Sequence, residues 1–279
     1  MKNKRKLKRA RFIRILIYLC IIAIGIYIIF DSRKEEIIIY NSSDEEKYLS
    51  VDLGNNIFMD FVLIESGKFN MGSYEEVGDE DELPVREISI TQPFYMGRYE
   101  VTQRQWQQVM GENPSSFIGD DLPVETVSYS DCILFVKKVS EITGLNFSLP
   151  TEAMWEYAAR AGTESKWFYG NDEKDGISYN WIAPLDNNKT HPVGMKESNP
   201  WELYDIYGNV QEWCLDWYEN PYSTKSMVNP VGPMSGESKV VRGGGWGAFA
   251  DNARSAYRNA LGPDIKNDGV GLRCVILID

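Results

Sequence analysis

Residues 15–30 read "ILIYLCIIAIGIYIIF", sixteen positions without a charge. Phe12 and Ile13 lengthen the run to about 19 residues if Arg14 snorkels, close to the roughly 20 that a helix needs to cross hydrocarbon. The fourteen residues before it carry eight Lys or Arg and no acid. A cleaved signal peptide has an apolar region of about 7–15 residues ending in small residues, and "YIIFDSRKEE" offers no such site. Cys20 follows Leu19 in mid-run, which does not suit lipoprotein processing. The pattern therefore predicts an uncleaved signal anchor: residues 1–14 as a basic cytoplasmic tail, 15–30 as a transmembrane helix, and the rest outside the cytoplasm. The membrane is thus an expected partner, through residues 15–30.

Residues 15–279 have a net charge of −20. A surface that acidic repels nucleic acid, so no nucleic-acid partner is expected. Residues 31–56 are polar and charged apart from Ile37–Tyr40, and read as a stalk in which those four residues are a candidate strand. Residues 57–279 read as one domain, long enough to bury a core without staples. It contains Cys132, Cys214 and Cys274, an odd number that rules out a disulfide-built scaffold.

Local signals place the first elements. "FVLIESGKFNMGS" alternates about a Ser-Gly turn and predicts a β-hairpin. "EEVGDEDELP" reads as a solvated acidic loop. Thr102 caps a helix "QRQWQQVM" that Gly111 ends. Ser128 and Asp131 form a capping box for a longer helix whose apolar face is Cys132, Phe135, Val136, Val139 and Ile142, ended by Gly144. Thr151 caps a third, with Glu152 in the favourable first turn and Glu156 able to pair with Arg160. After Ala161 the periodicity gives way to Gly, Pro, Asn, Trp and Tyr, which predicts short strands joined by long ordered loops.

One histidine, His191, excludes three-histidine zinc, two-histidine facial triads and HExxH chemistry. It lies in "THPVG" and reads as a turn residue. The three cysteines sit in apolar runs and read as core. "DIYGNVQEW" is more informative. Calcium takes six to eight oxygens. The carbonyls of Gly208 and Val210 point the same way in an extended chain, with Glu212 beyond them and Asp205 able to fold back. A plain Gly-Asn turn over Trp213 and Trp217 explains the spacing equally well.

Taken in order, "GKFNMGS", "YEVTQRQW", "LPVETVSYSDC", "LPTEAMWEYAARAG", "LYDIYGNVQEW", "RGGGW", "RSAYRN" and "GLRCV" resemble the formylglycine-generating enzyme (sulfatase-modifying factor) family over about residues 58–279. The resemblance implies a single α+β domain related to C-type lectins and poor in regular secondary structure. It implies a calcium site formed by the Asp205 side chain, the Gly208 and Val210 carbonyls and the Glu212 side chain, and a second one using Asn180 and Trp181. The family's structural disulfide would join Cys274 to the position of Val136; Cys132 lies one helical turn away, so a Cys132–Cys274 bridge is implied.

The family's catalytic cysteine pair, which binds copper, has no counterpart here: the interval Gly247–Ala253 reads "GAFADNA". Neither copper nor iron is expected, because copper(I) needs thiolates and the iron relatives need three histidines. The corresponding segment would line a cleft with Trp246, Phe249, Asn252, Arg254, Tyr257 and Arg258. Alternatively Arg254, Arg258 and Arg273 pair with Glu152 or Glu156 and hold the fold. The expected function is a membrane-anchored, calcium-stabilised module binding a peptide, protein or glycan. The alternatives are an enzyme of the same family using Asp251, Tyr257 or Arg258 on another substrate, and a structural protein of an envelope assembly.

Overall fold

The computed structural model describes residues 47–74, 78–183, 188–222 and 227–278. The expected anchor and the candidate strand Ile37–Tyr40 lie outside the described residues. Among the described residues no helix is long and apolar enough to cross a membrane.

Helix α1 (Gln103–Met110), α2 (Tyr129–Thr143) and α3 (Glu152–Arg160) begin and end where local chemistry dictates. The Thr102 hydroxyl accepts from the Gln105 N–H while the Gln105 side chain accepts from the Thr102 N–H, and Ser128 with Asp131 does the same for α2. Each reciprocal pair satisfies two donors that a helix start leaves open. Left-handed Gly111 and Gly144 close the two helices.

The largest sheet has five strands in the order β1 (Tyr48–Asp52), β2 (Phe58–Ile64), β5 (Phe94–Gly97), β11 (Val275–Leu277) and β6 (Phe147–Ser148), all antiparallel neighbours. A four-stranded sheet runs β10 (Val270–Gly271), β7 (Gln211–Trp217), β8 (Lys239–Arg242) and β9 (Asn259–Leu261), in which β10 lies parallel to β7. β3 (Gly67–Met71) and β4 (Arg86–Ile90) pair as a separate ribbon. Short strands and long connections from residue 161 onward match the expectation, and the mixed helix and sheet content fits the α+β class.

Four expectations need correction. Residues 48–52, read as stalk, form β1, whose Leu49 and Val51 point into the core. β2 and β3 do not form a hairpin: β2 is taken by β1 and β5, and after Glu65-Ser66 the chain leaves for the ribbon with β4. The acidic loop is not uniformly solvated, because Glu82 is fully buried. Cys132 and Cys274 are both buried free thiols, as is Cys214. All three sit among apolar neighbours, and burial pushes each thiol pKa up.

The core has two parts. In one, α1 and α2 cover the five-stranded sheet and Trp106 stacks on Phe135 with ring centroids 5.0 Å apart. In the other, α3 packs against β3, β7 and β8, with Trp155 and Trp167 fully buried. Each such aromatic contributes about 1.5–3 kcal/mol by leaving water.

Candidate functional site

Buried ion pairs dominate the region where the long loops converge. Arg258 donates from Nε and Nη2 to the two oxygens of Glu152 at 2.6 and 3.0 Å, and from Nη1 to the carbonyls of Asp81 and Glu219. Arg254 grips Glu82 with two bonds of 2.7 and 2.8 Å. Arg242 pairs with Glu156, which also takes Arg160 at 2.8 Å. Arg273 pairs with Glu212 and donates to the carbonyls of Gly97 and Tyr204. These guanidiniums are at most 4% exposed. Burial opposes their charge, but the carboxylates outweigh it and hold their pKa values up.

Arg254 and Arg258 therefore offer no free guanidinium to a ligand cleft, contrary to what the resemblance implies. Their donors are engaged inside the fold, which is the alternative reading, although only Arg258 takes one of the acids named there. The other cleft residues stand differently. Trp246 is partly exposed, packs edge-on against Phe117 at 5.7 Å and donates from Nε1 to the Asp268 carbonyl. Phe249 is 68% exposed and opens a short 3-10 helix, Ala250–Ala253. Asn252 and Tyr257 are partly exposed; Asp251 is exposed, 3.9 Å from Lys166. Among the weak catalytic candidates, Asp251 and Tyr257 reach solvent and Arg258 does not.

The turn in "DIYGNVQEW" is built tightly. Gly208 has φ +99°, and a Cβ there would lie 2.0 Å from the Trp181 carbonyl oxygen. A parallel bridge joins Trp181 to Gly208. The Trp181 ring stacks on His191 at 3.8 Å, and its Nε1 donates to Asp205 Oδ1. The Gly194 N–H donates to Asp205 Oδ2 at 2.6 Å. Sequence reasoning missed Glu100, which is fully buried and accepts from the Val210 N–H and the Asn209 amide. Its only sequence signal is an acid isolated between the apolar strand β5 and the capping Thr102.

Glu100, Asp205 and Glu212 face one buried guanidinium, Arg273. Burial is the largest effect on Asp205 and lifts its pKa to about 6. Burial, then the charges of Asp205 and Glu212, pushes Glu100 well above the carboxylate range. This excess of buried acid suits a hard dication. A carboxylate oxygen can accept two hydrogen bonds, so each Asp205 oxygen keeps capacity for an ion. The Glu212 oxygens do not, since both take Arg273 Nε and between them also Arg273 Nη2 and Trp155 Nε1. Asn180 donates to Tyr169, while its buried Oδ1 has no partner among the described residues. That orphaned acceptor fits the second ion site that the resemblance implies.

Comparison with known proteins places these features. The description "Sulfatase-modifying factor enzyme 1-like domain" matches residues 54–278. The chain is 31% identical to the "Chaperone protein LppX" of Paenibacillus barcinonensis over 262 residues, 74% of this chain and 86% of that protein. It is 32% identical to the formylglycine-generating enzyme of Mus musculus over 184 residues, 61% of this chain. It spans only 48% of that enzyme and 38% of the serine/threonine-protein kinase pkn1 of Chlamydia caviae, to which it is 31% identical. Among solved structures it is similar to Treponema denticola variable protein 1, with a TM-score of 0.77 and 29% identity, covering 82% of this chain and 98% of that one.

Proposed function

The chain belongs to the sulfatase-modifying factor enzyme 1-like family, and from that premise we propose that its domain binds a partner polypeptide and does not convert cysteine to formylglycine. The carrying observation is the interval Gly247–Ala253, which has no thiol but presents the exposed Phe249, directly after the partly exposed Trp246 that packs on Phe117. The domain's three thiols are buried elsewhere, with pKa values raised by burial, so none is a ready thiolate. Aromatic side chains standing in water favour apolar segments of a ligand. Similarity to a protein named as a chaperone supports a polypeptide as that ligand.

In this proposal the domain sits outside the cytoplasm on an anchor at residues 15–30. Calcium rigidifies the turn beneath the groove, held by Asp205 and the Gly208 and Val210 carbonyls. Glu212 joins only by exchanging Arg273. Asn180 and the Trp181 carbonyl would serve a second ion.

The test is a peptide-array screen of the full-length chain, followed by titration of the best peptides against Trp246→Ala and Phe249→Ala. Each variant should lose at least tenfold in affinity with an unchanged melting temperature. Unchanged affinity in both would remove the groove. Oxygen-dependent gain of aldehyde in a cysteine peptide, followed by mass spectrometry, would overturn the proposal.

A further inference from the structure

A second cleft lies away from that groove, between the N-terminus of α3 and the loop Asn229–Met234. Its volume is about 380 Å³, within the range of small-molecule and side-chain sites. Met71, Trp217 and Val231 give it apolar walls, and Met234 stands at its rim, 94% exposed. Asp216 and Glu152 lie in its wall.

Asp216 is unlike the other buried acids. It is 4% exposed, and Oδ2 accepts the Glu152 N–H at 2.7 Å. Oδ1 accepts no hydrogen bond, and the carboxylate makes no ion pair, among the described residues. The charged groups around it are all engaged elsewhere. Lys239, on β8, donates to the Leu215 carbonyl and lies over the rings of Trp217 and Tyr129 at 4.0 and 4.3 Å. Arg258 is saturated by Glu152, Asp81 and Glu219. Glu152, at the start of α3, repels it; Tyr129 and Cys214 are further titratable neighbours. The cleft wall adds Glu219, Tyr222, which donates to Glu152, and Arg86, which lies over the Tyr222 ring. A half-satisfied carboxylate in the wall of a cavity is costly, and a cationic group with an apolar stem would complete it.

We propose that this cleft is a second binding site that takes the side chain of a lysine or arginine from a partner polypeptide, its charged head on Asp216 and its aliphatic stem against Trp217, Val231 and Met234. Charge selects the class. Glu152, Asp216 and Glu219 line the cleft against Arg86 and Arg258. Arg258 is held by Glu152 and Arg86 lies over the Tyr222 ring, which leaves an acidic excess. Residues 15–279 carry a net −20, so an anionic ligand is repelled and a basic partner drawn in. The proposal does not rest on the groove at Trp246.

Burial and the Glu152 charge hold the Asp216 pKa at about 7. A cation binds the ionised form, so affinity should fall about tenfold for each pH unit below 7 and level off above it.

The experiment is a ligand-observed NMR titration of the full-length chain with three probes: Nα-acetyl-lysine N-methylamide, its norleucine analogue and n-butylamine. The lysine amide should bind at pH 8 at least tenfold more tightly than the norleucine amide, and less tightly at pH 6. Asp216→Asn keeps an acceptor for the Glu152 N–H and should lose tenfold or more. Val231→Trp, at a position 59% exposed, fills the mouth without disturbing the core and should do the same. No binding of the lysine amide, equal binding of the norleucine amide, or unchanged binding to Asp216→Asn would each overturn the site. Butylamine binding more tightly than the lysine amide would overturn the polypeptide part of it.

Discussion

Asp216→Asn should reverse sign in its effect on stability as the pH rises. In the unfolded chain the carboxyl titrates near 3.8, and in the fold near 7. A raised pKa means that the native state binds the proton more tightly. Between those two values each pH unit costs the native state about 1.4 kcal/mol relative to the unfolded one. The contribution is therefore fully present below pH 4 and lost by pH 7, a total of about 4 kcal/mol against a stability that is ordinarily about 5–15. Asparagine does not titrate and keeps the acceptor for the Glu152 N–H. Asp205, held up near 6, titrates in both proteins and cancels in the comparison. Urea unfolding from pH 4 to 8 measures the difference. With an m-value of about 3 kcal/mol/M, the variant's midpoint should move by a little over 1 M relative to the parent across that range. At pH 4 the variant should be equal or weaker; at pH 8 it should be stronger. A flat difference would mean that Lys239 or Arg258 compensates the ionised carboxylate in the fold, and the account of the cleft would go with it.

Removing one partner of a buried pair, as in Glu152→Gln or Arg258→Met, should cost about 3–5 kcal/mol in urea unfolding, since the other partner stays buried. Calcium at a hundred times its Kd should stabilise the domain by about 2.7 kcal/mol, seen as a higher melting temperature that chelator removes. Asp205→Asn should abolish most of that difference. Gly208→Ala should lower stability by about 2 kcal/mol or more by urea unfolding, because both φ and the Trp181 carbonyl reject a Cβ. Reductant should leave the melting temperature unchanged, and peptide mapping without reductant should find Cys132 and Cys274 free.

The parts of the fold that are legible in the sequence are those fixed by neighbours a few residues apart. Thr102 with Gln105, Ser128 with Asp131, and Thr151 ahead of Glu152 mark the three helix starts to the residue. β1 is hidden because "YLSVD" is short and, among the described residues, its only sheet neighbour is β2. The supposed hairpin failed because the partner of β3 begins fifteen residues after it ends and is not the strand before it. Local pattern also cannot tell a buried acid from a solvated one. Glu82 sits in an acidic run, and the guanidinium that buries it is 172 residues away. The "DIYGNVQEW" turn was legible as a tight backbone approach, while the acids around it, Glu100 above all, needed the fold.

The order of strands in the five-stranded sheet bears on how the chain matures. β11 is the last described strand in sequence, yet it lies between β5 and β6. Arg242, Arg254, Arg258 and Arg273 also come late and close over acids that precede them by 61 to 172 residues. During synthesis, then, the earlier strands and acids wait with an open slot and unmatched charge. The contacts that finish the domain have large sequence separation, which makes folding slow. A nascent chain that has not yet released residues 273–277 cannot seal its sheet, so ribosome-bound intermediates of this domain should stay sensitive to protease until those residues emerge.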